Sequence, residues 1–422
     1  MYLPRLVTAR LRKMVKHFPA VVVTGARQVG KSTLLKHVFG DDYDYIQFDP
    51  YVDIENSRTD PDLFLRNHPG RLILDEIQYA PEIAASIKRK IDEDRSPGKY
   101  LISGSQQWSV MKGLSDSLAG RVVFVDLDQF TLSEILDSDA EPWVVRWLDR
   151  PDEPPRARIR DDVPLAERLY RGFYPEAQFL TLDLVPDFFR AYERTYIDRD
   201  IRQMADFADI NLFMRFFRLL GALTAREVNH TQLGRDIGIT PQTAQRWSGL
   251  LRATFQWHEI PAYTGNAVKR VGAKPKGYLG DTGLAAFSQA MTSPRALPAN
   301  PLWGPLFETC VVNDIRKQLA AAGCAAQLYH WRSYGGAEVD LVLDVDGRLY
   351  PIEIKATTTP RKNDARGIAA FRDTYPHADI GPGLILCAAE STYTITENCF
   401  VLPWDVSYEE VRATKEPKSP GM

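Results

Sequence analysis

The sequence predicts an α/β protein: a parallel sheet covered by helices on both faces, then a helical middle, then a smaller mixed α/β unit. Three observations carry that expectation. Residues 20–136 alternate short β-branched runs, at 20–24, 45–48, 71–74, 100–103 and 122–126, with helical stretches, the rhythm of strands each covered by a crossover helix. The first run opens into Gly25-Ala26-Arg27-Gln28-Val29-Gly30-Lys31-Ser32, which fits GxxxxGK followed by Ser or Thr and leads into a helical run at 33–38. Further on, a helix at 306–322 precedes strands at 327–331, 337–343 and 349–356, the last two joined by an Asp346-Gly347 turn.

A chain of 422 residues that is 44% apolar and 11% aromatic has material for two to four cores. The expected divisions are 1–137 for the sheet unit, 138–164 for a Pro- and acid-rich linker or insert, 165–285 for the helical middle, 301–406 for the mixed unit and 407–422 for a tail, frayed from 415 on. With 52 Lys+Arg against 55 Asp+Glu the net charge is -3, so any nucleic-acid contact must come from a local patch. Apolar runs such as 101–102 and 122–125 are far shorter than the ~20 residues a membrane span needs. Residues 1–19 lack a signal-peptide core, so a cytoplasmic protein is expected. Cys310, Cys324, Cys387 and Cys399 fit neither a metal knuckle nor a disulfide framework and read as small neutral thiols.

The glycine-rich loop is the strongest functional signal. Its glycines turn backbone N–H groups toward a phosphate chain, and the helix that follows adds its positive end. Lys31 would neutralise the β- and γ-phosphates of ATP and Ser32 would offer a hydroxyl to Mg²⁺, so the nucleotide-binding stretch runs Gly25, Ala26, Arg27, Gln28, Val29, Gly30, Lys31, Ser32, Thr33. A second strand ends in carboxylates, Arg71-Leu72-Ile73-Leu74-Asp75-Glu76, placing Asp75 to hold the metal through water and Glu76 to orient the attacking water. The plain alternative is a polar strand end before a turn. Ser103-Gly104-Ser105, after the strand at 100–102, could sense the γ-phosphate with a hydroxyl, Ser105 being the candidate, or could be a simple turn. Arg121 could reach a phosphate of its own or of a neighbouring subunit, or could sit in an ordinary ion pair.

Together, the opening Tyr2 to Leu35, Leu74-Asp75-Glu76-Ile77-Gln78, Ser103-Gly104-Ser105 and Leu118-Ala119-Gly120-Arg121 resemble the AAA-type prokaryotic ATPases whose C-terminal half is a domain of unknown function with a nuclease-like core. The resemblance continues through Arg194-Thr195-Tyr196-Ile197-Asp198-Arg199-Asp200, Lys269-Arg270, Asp281-Thr282-Gly283-Leu284 and Ile352-Glu353-Ile354-Lys355. It implies a P-loop ATPase related to ring-forming motors, hence a homo-oligomer, a hexameric ring included. It fixes no cellular task.

In the helical middle, 232–237, a Gly238-Ile239-Thr240 turn and 242–255 read as a helix-turn-helix, with Thr240 as N-cap and Pro241 at the first helical position. A hairpin turning at Gly265-Asn266 would make it a winged variant. Between 221 and 280 basic residues outnumber acidic ones. Arg246 on the second helix and Lys269, Arg270, Lys274 and Lys276 on the hairpin are the candidate DNA contacts. The alternative is a structural or protein-docking unit with a solvated charged face.

In the last unit, Asp340 lies in one strand while Glu353 and Lys355, two apart, share a face of the next. Glu308 on the preceding helix could add an outer carboxylate. That order of helix, strand, hairpin and Glu-x-Lys strand resembles restriction-endonuclease-like folds, and Glu308, Asp340, Glu353 and Lys355 fall on that family's active-site pattern. The resemblance implies a Mg²⁺-dependent nuclease site. The alternative is a buried ion-pair network that only grips DNA or a partner. The sequence thus reads as an Mg²⁺-dependent ATPase acting on duplex or branched DNA, with an ATP-licensed nuclease and an ATP-driven switch for protein partners as the other readings.

Overall fold

The computed structural model describes residues 2–105, 118, 120–136, 141–202, 210–266, 270 and 272–412, with the side chains of 198, 199, 411 and 412 left aside. In the first unit, strands β1 (Ala20–Thr24), β2 (Asp44–Gln47), β3 (Leu72–Asp75), β4 (Tyr100–Gly104) and β5 (Val122–Asp126) form one parallel sheet in the order β2-β3-β4-β1-β5. Helices α1 (Thr8–Val15), α2 (Lys31–Phe39), α3 (Pro61–Asn67) and α4 (Ile83–Glu93) accompany it. Two apolar clusters account for both faces being covered: Val21, Val23 and Leu101 pack in one, Ala20, Val22 and Ile102 in the other. That is the side-to-side alternation of a buried parallel strand. Because β4 lies between β1 and β3, the C-terminal ends of all three converge on the loop before α2.

The stretch expected as a linker or insert carries regular structure within its described residues, 141–164. It contains helix α5 (Trp143–Asp149), whose Trp147 packs edge-on to Tyr350, and strand β6 (Ala157–Arg160). Past α6 (Leu165–Arg171), the middle unit opens with α7 (Val185–Tyr196). Phe188 and Tyr192 of α7, with Ile197 and Ile201 just beyond it, are buried, as the apolar spacing predicts.

Next come α8 (Ile210–Ala222), β7 (Arg226–Glu227), α9 (His230–Ile237), α10 (Pro241–Ala253), β8 (Trp257–Ile260) and β9 (Lys276–Leu279), with β7-β9-β8 forming a small antiparallel sheet. The turn between α9 and α10 has the expected chemistry. Gly238 takes φ 83° after α9, and Thr240 accepts a bond from the Thr243 N–H at 3.1 Å.

Helix α11 (Thr282–Ser288) leads into the last unit, where α12 (Trp303–Ala322) and α13 (Arg366–Thr374) flank six strands. These are β10 (Gln327–Arg332), β11 (Glu338–Val345), β12 (Arg348–Lys355), β13 (Gly383–Cys387), β14 (Tyr393–Thr396) and β15 (Cys399–Pro403), in the mixed order β10-β11-β12-β13-β15-β14. Asp346 and Gly347, both at positive φ, make the expected tight turn between β11 and β12. Short strands β16 (Val406–Ser407) and β17 (Val411–Arg412) return to β6, one on each side. The expected tail therefore begins as paired strand, and its frayed part from 415 lies outside the described residues. All four cysteines are free thiols. Among the described residues no helix is long and apolar enough to cross a membrane.

One seam between units is expected to make stability depend on pH. Arg316 of α12 grips both oxygens of Asp128, past the end of β5, at 2.9 Å each. Beside this pair, burial first and the Arg316 charge second push the His258 imidazole down to about 3. Its Nε2 has no hydrogen-bond partner among the described residues. An unfolded histidine titrates near 6.5, so the folded protein refuses a proton that the unfolded chain accepts. The contribution of His258 is complete above pH 6.5 and falls by about 2 kcal/mol between pH 7 and pH 5. His258→Gln should flatten that part of a urea-midpoint profile; an unchanged slope would place the acid sensitivity elsewhere.

Candidate functional site

The loop after β1 has the geometry of a phosphate cradle. Gly25 takes φ 150° with its α-carbon so close to the Leu127 carbonyl that an added Cβ would lie 2.0 Å from the oxygen, and Gly30 takes φ 94°. Gln28 also adopts a left-handed φ of 61°, a conformation that costs a non-glycine residue about 1–3 kcal/mol and collects at working sites. Ala26 and Val29 are buried, so they serve the loop through their backbone, while Gln28 and Thr33 face solvent. Arg5 props the loop from below, donating to the Val29 carbonyl at 2.8 Å.

Lys31 opens α2 and folds back over the loop, its Nζ 2.9 Å from the Gly25 carbonyl and 2.8 Å from that of Ala26. Burial lowers its pKa, against the pull of Glu76, Asp200 and Asp75. At the end of β3, buried Asp75 accepts bonds from the Ser103 and Tyr45 hydroxyls, one on each oxygen. Burial and that carboxylate push the Tyr45 phenol up, and Ser32 bonds the same phenol. Hydroxyl and carboxylate oxygens thus gather at the start of α2, a donor set suited to Mg²⁺.

Glu76 sits just beyond, at a left-handed φ of 57°. Its N–H donates to Ser103 Oγ at 3.3 Å, and Gln78 Nε2 holds its Oε2. Ser105, the other hydroxyl expected near a γ-phosphate, accepts from Gln78 Nε2 at 3.3 Å and donates to Asp200 Oδ1 at 3.1 Å.

Arg121 departs from one expectation. It precedes β5, which runs parallel to β1, so it stands at the far end of the sheet, about 15 Å from the phosphate loop. There it clasps Asp92 on α4 at 2.8 and 2.9 Å. A phosphate of its own subunit is out of reach.

The basic hairpin is corrected more substantially. β8 and β9 do pair, and Gly265 and Asn266 lie at a bend between them, but just past β8 the chain at Ala262 lies along β10 instead of continuing the hairpin. Tyr263 N–H donates to the His330 carbonyl at 2.6 Å and His330 N–H to that of Pro261 at 3.0 Å. Arg270 stacks over the Tyr263 and Tyr329 rings, 4.8 and 5.0 Å from their centroids. Aromatic packing with Phe371 and Tyr375 outcompetes a free hairpin. Lys269 lies outside the described residues. Lys274 and Arg246 are exposed.

Lys276 was expected on the hairpin surface and is instead buried in the last unit. Its Nζ lies 2.6 Å from Glu308 and 3.0 Å from Asp340. Lys355 completes the cluster at 2.9 Å from Glu353 and 3.4 Å from Asp340, and Tyr278 donates to Glu308 at 2.7 Å. The four residues expected to converge do so, with a fifth member from the middle unit. Burial and then the Asp340 charge push Glu308 up to about 7 and Glu353 up to about 9. Asp340 is held well below the usual range, because Lys276 and Lys355 outweigh its burial.

A divalent cation does not fit this arrangement, since a tethered ammonium bridges the carboxylates that would ligate it. Among the described residues, no group of three or more His, Cys, Asp or Glu stands ready to hold a metal ion.

Sequence reading missed Tyr45 and Asp200 at the nucleotide site and assigned Lys276 to the hairpin surface rather than to the Glu308–Asp340 cluster. Only Asp200 left a trace, within the Arg194 to Asp200 segment.

The glycine-rich loop, the carboxylate-ended β3 and the strand β4 between define a P-loop ATPase of AAA type, which uses ATP with Mg²⁺. Residues 17–136 match the family described as AAA domain, 163–295 a domain of unknown function (DUF8612) and 303–406 another (DUF4143). Two uncharacterized mycobacterial proteins, Rv2008c of Mycobacterium tuberculosis and Mb2031c of Mycobacterium bovis, are each 30% identical over 84% of this chain and 74% of their own length. The chain belongs to the same family as these two proteins. Among solved structures, the Walker-type ATPase PABY2304 of Pyrococcus abyssi is similar at 15% identity, covering 67% of this chain and 94% of that one with a TM-score of 0.40, a likeness too distant to bear on function.

Proposed function

We propose that this ATPase couples hydrolysis to DNA binding, duplex or branched, through the outer face of α10. The observation that carries the reading is the division of that helix. Ala244, Trp247, Ser248 and Leu251 are buried while Gln242, Gln245 and Arg246 are exposed. Amide and guanidinium groups on successive turns match the donors and acceptors of base edges in a major groove. The element order α8, β7, α9, α10, β8, β9 is that of a winged helix-turn-helix, in which the second short helix enters the groove. The chain past β8 is engaged on β10, so contact rests on α10, with Lys274 exposed just before β9.

In the nucleotide site, Lys31 would leave the loop carbonyls for the β- and γ-phosphates. Ser32 and Asp75 would hold the metal, which supplies charge neutralisation for phosphoryl transfer, and Glu76 would orient the attacking water. Ser105 and Arg27 border the γ-phosphate end. Assembly as a homo-oligomer, a hexameric ring included, belongs to the same reading, with Arg121 exchanging Asp92 for a neighbour's nucleotide. The ATP-licensed nuclease loses support from the Lys276 bridge.

Fluorescence anisotropy with duplex and four-way DNA tests the proposal. Wild type should bind with affinity that falls steeply between about 50 and 200 mM salt. Arg246→Ala should weaken binding about tenfold or more, the worth of one good base contact, and lower DNA stimulation of ATP turnover. A second reading, a switch for protein partners, is favoured by the docked wing and the Arg252–Glu259 pair at 2.6 Å, which engage part of the basic surface. Failure of wild type to bind any DNA shape at low salt would select it.

A further inference from the structure

The middle unit sends one buried carboxylate into the nucleotide site. Asp200 lies in a π-helical turn, Ile197–Ile201, that continues α7. Such turns are rare and concentrate where function displaces the regular helix. One oxygen of Asp200 accepts from Arg27 Nε of the phosphate loop at 3.0 Å, the other from Ser105 Oγ at 3.1 Å. Ser105 in turn accepts from Gln78, which holds the Glu76 carboxylate. A continuous path of polar contacts therefore joins α7 to the phosphate loop and to Glu76.

Charge gives this path a direction. Arg27 is largely buried, and Asp200 keeps it charged against that burial. The same carboxylate is close enough to be felt by Lys31. A γ-phosphate arriving at the loop carries negative charge into the same small volume. It competes with Asp200 for the Arg27 guanidinium and repels the carboxylate. ADP brings less of both effects.

We propose that Asp200 is a positioning residue that distinguishes ATP from ADP: it latches Arg27 and Ser105 to the end of α7, and a γ-phosphate releases the latch. The inference rests on the phosphate-loop assignment and is independent of DNA. Release frees Ser105 and Gln78 to set the Glu76 carboxylate, so the ordering of the hydrolytic water and the movement of the middle unit become one event.

The test compares wild type with Asp200→Asn, whose amide oxygen still accepts a hydrogen bond but carries no charge, and with Asp200→Ala. Affinities for a slowly hydrolysed ATP analogue and for ADP are measured with Mg²⁺, together with KM and kcat for ATP. Removing the like charge should raise the ratio of analogue to ADP affinity by about fivefold or more while lowering kcat, so that KM and kcat fall together. Hydrogen exchange of wild type supplies a readout needing no variant: amides of 197–201 should exchange faster with the ATP analogue than with ADP. A ratio unchanged in Asp200→Asn, or identical exchange with the two nucleotides, overturns the proposal and leaves Asp200 as a structural ion-pair partner. Wild type binding neither nucleotide would overturn the phosphate-loop assignment itself.

Discussion

Glu76→Gln is expected to retain ATP and to hydrolyse it at least about a hundredfold more slowly than wild type, the lower range for loss of a positioned general base. The amide has the same shape, so the Gln78 contact and the fold around it survive, but it carries no charge to orient or polarise water. The backbone adds weight to the assignment. A glutamate at φ 57° is strained, and strain of that kind persists where the surroundings over-determine a side chain's direction. Here the Ser103 hydroxyl meets the Glu76 N–H on one side and Gln78 holds the carboxylate on the other. Phosphate release and calorimetric ATP binding, measured on the same preparation, separate the two functions. Wild-type turnover by this variant would remove Glu76 from the water-orienting role.

Lys276→Met is expected to destabilise the protein by about 3–5 kcal/mol, because it leaves Glu308 and Asp340 buried without the cation between them. Had Lys276 lain on an exposed hairpin, the change would be within about 0.5 kcal/mol. Adding Glu308→Gln should restore much of the loss, since the remaining pair, Asp340 with Lys355, is already matched in charge. Urea denaturation of wild type and the single and double variants measures this. A surface-like effect of Lys276→Met would mean that the cluster does not form as described.

What could be read from sequence was whatever local spacing determines. The phosphate loop is eight consecutive residues, Asp75-Glu76 ends its own strand, and Asp340, Glu353 and Lys355 are brought together by one two-residue turn. Thr240-Pro241 is a helix start on any chain. Side chains delivered by docking could not be read. Lys276 begins a strand whose neighbours alternate plausibly between surface and core, and only the packing of β9 against α12 decides that its ammonium points inward. The course of the loop between β8 and β9 was hidden for the same reason: the two strands pair as expected, yet Tyr263 past β8 packs against Tyr329, Phe371 and Tyr375 of the last unit. Tyr45 reaches the nucleotide site from a strand without a motif of its own, and the Arg194 to Asp200 stretch carries a resemblance but no sign of which partner its last carboxylate meets.

The strand Ala157–Arg160 is held between Val406–Ser407 and Val411–Arg412, and Arg158 adds contacts to Asp405 at 2.8 to 3.2 Å. The polypeptide thereby closes on itself like a belt whose buckle sits in the stretch between engine and load. The C-terminal unit is not carried on a loose tether. A displacement begun at the nucleotide is shared between this buckle and the Arg316–Asp128 clasp, so the circuit tightens or twists as a whole.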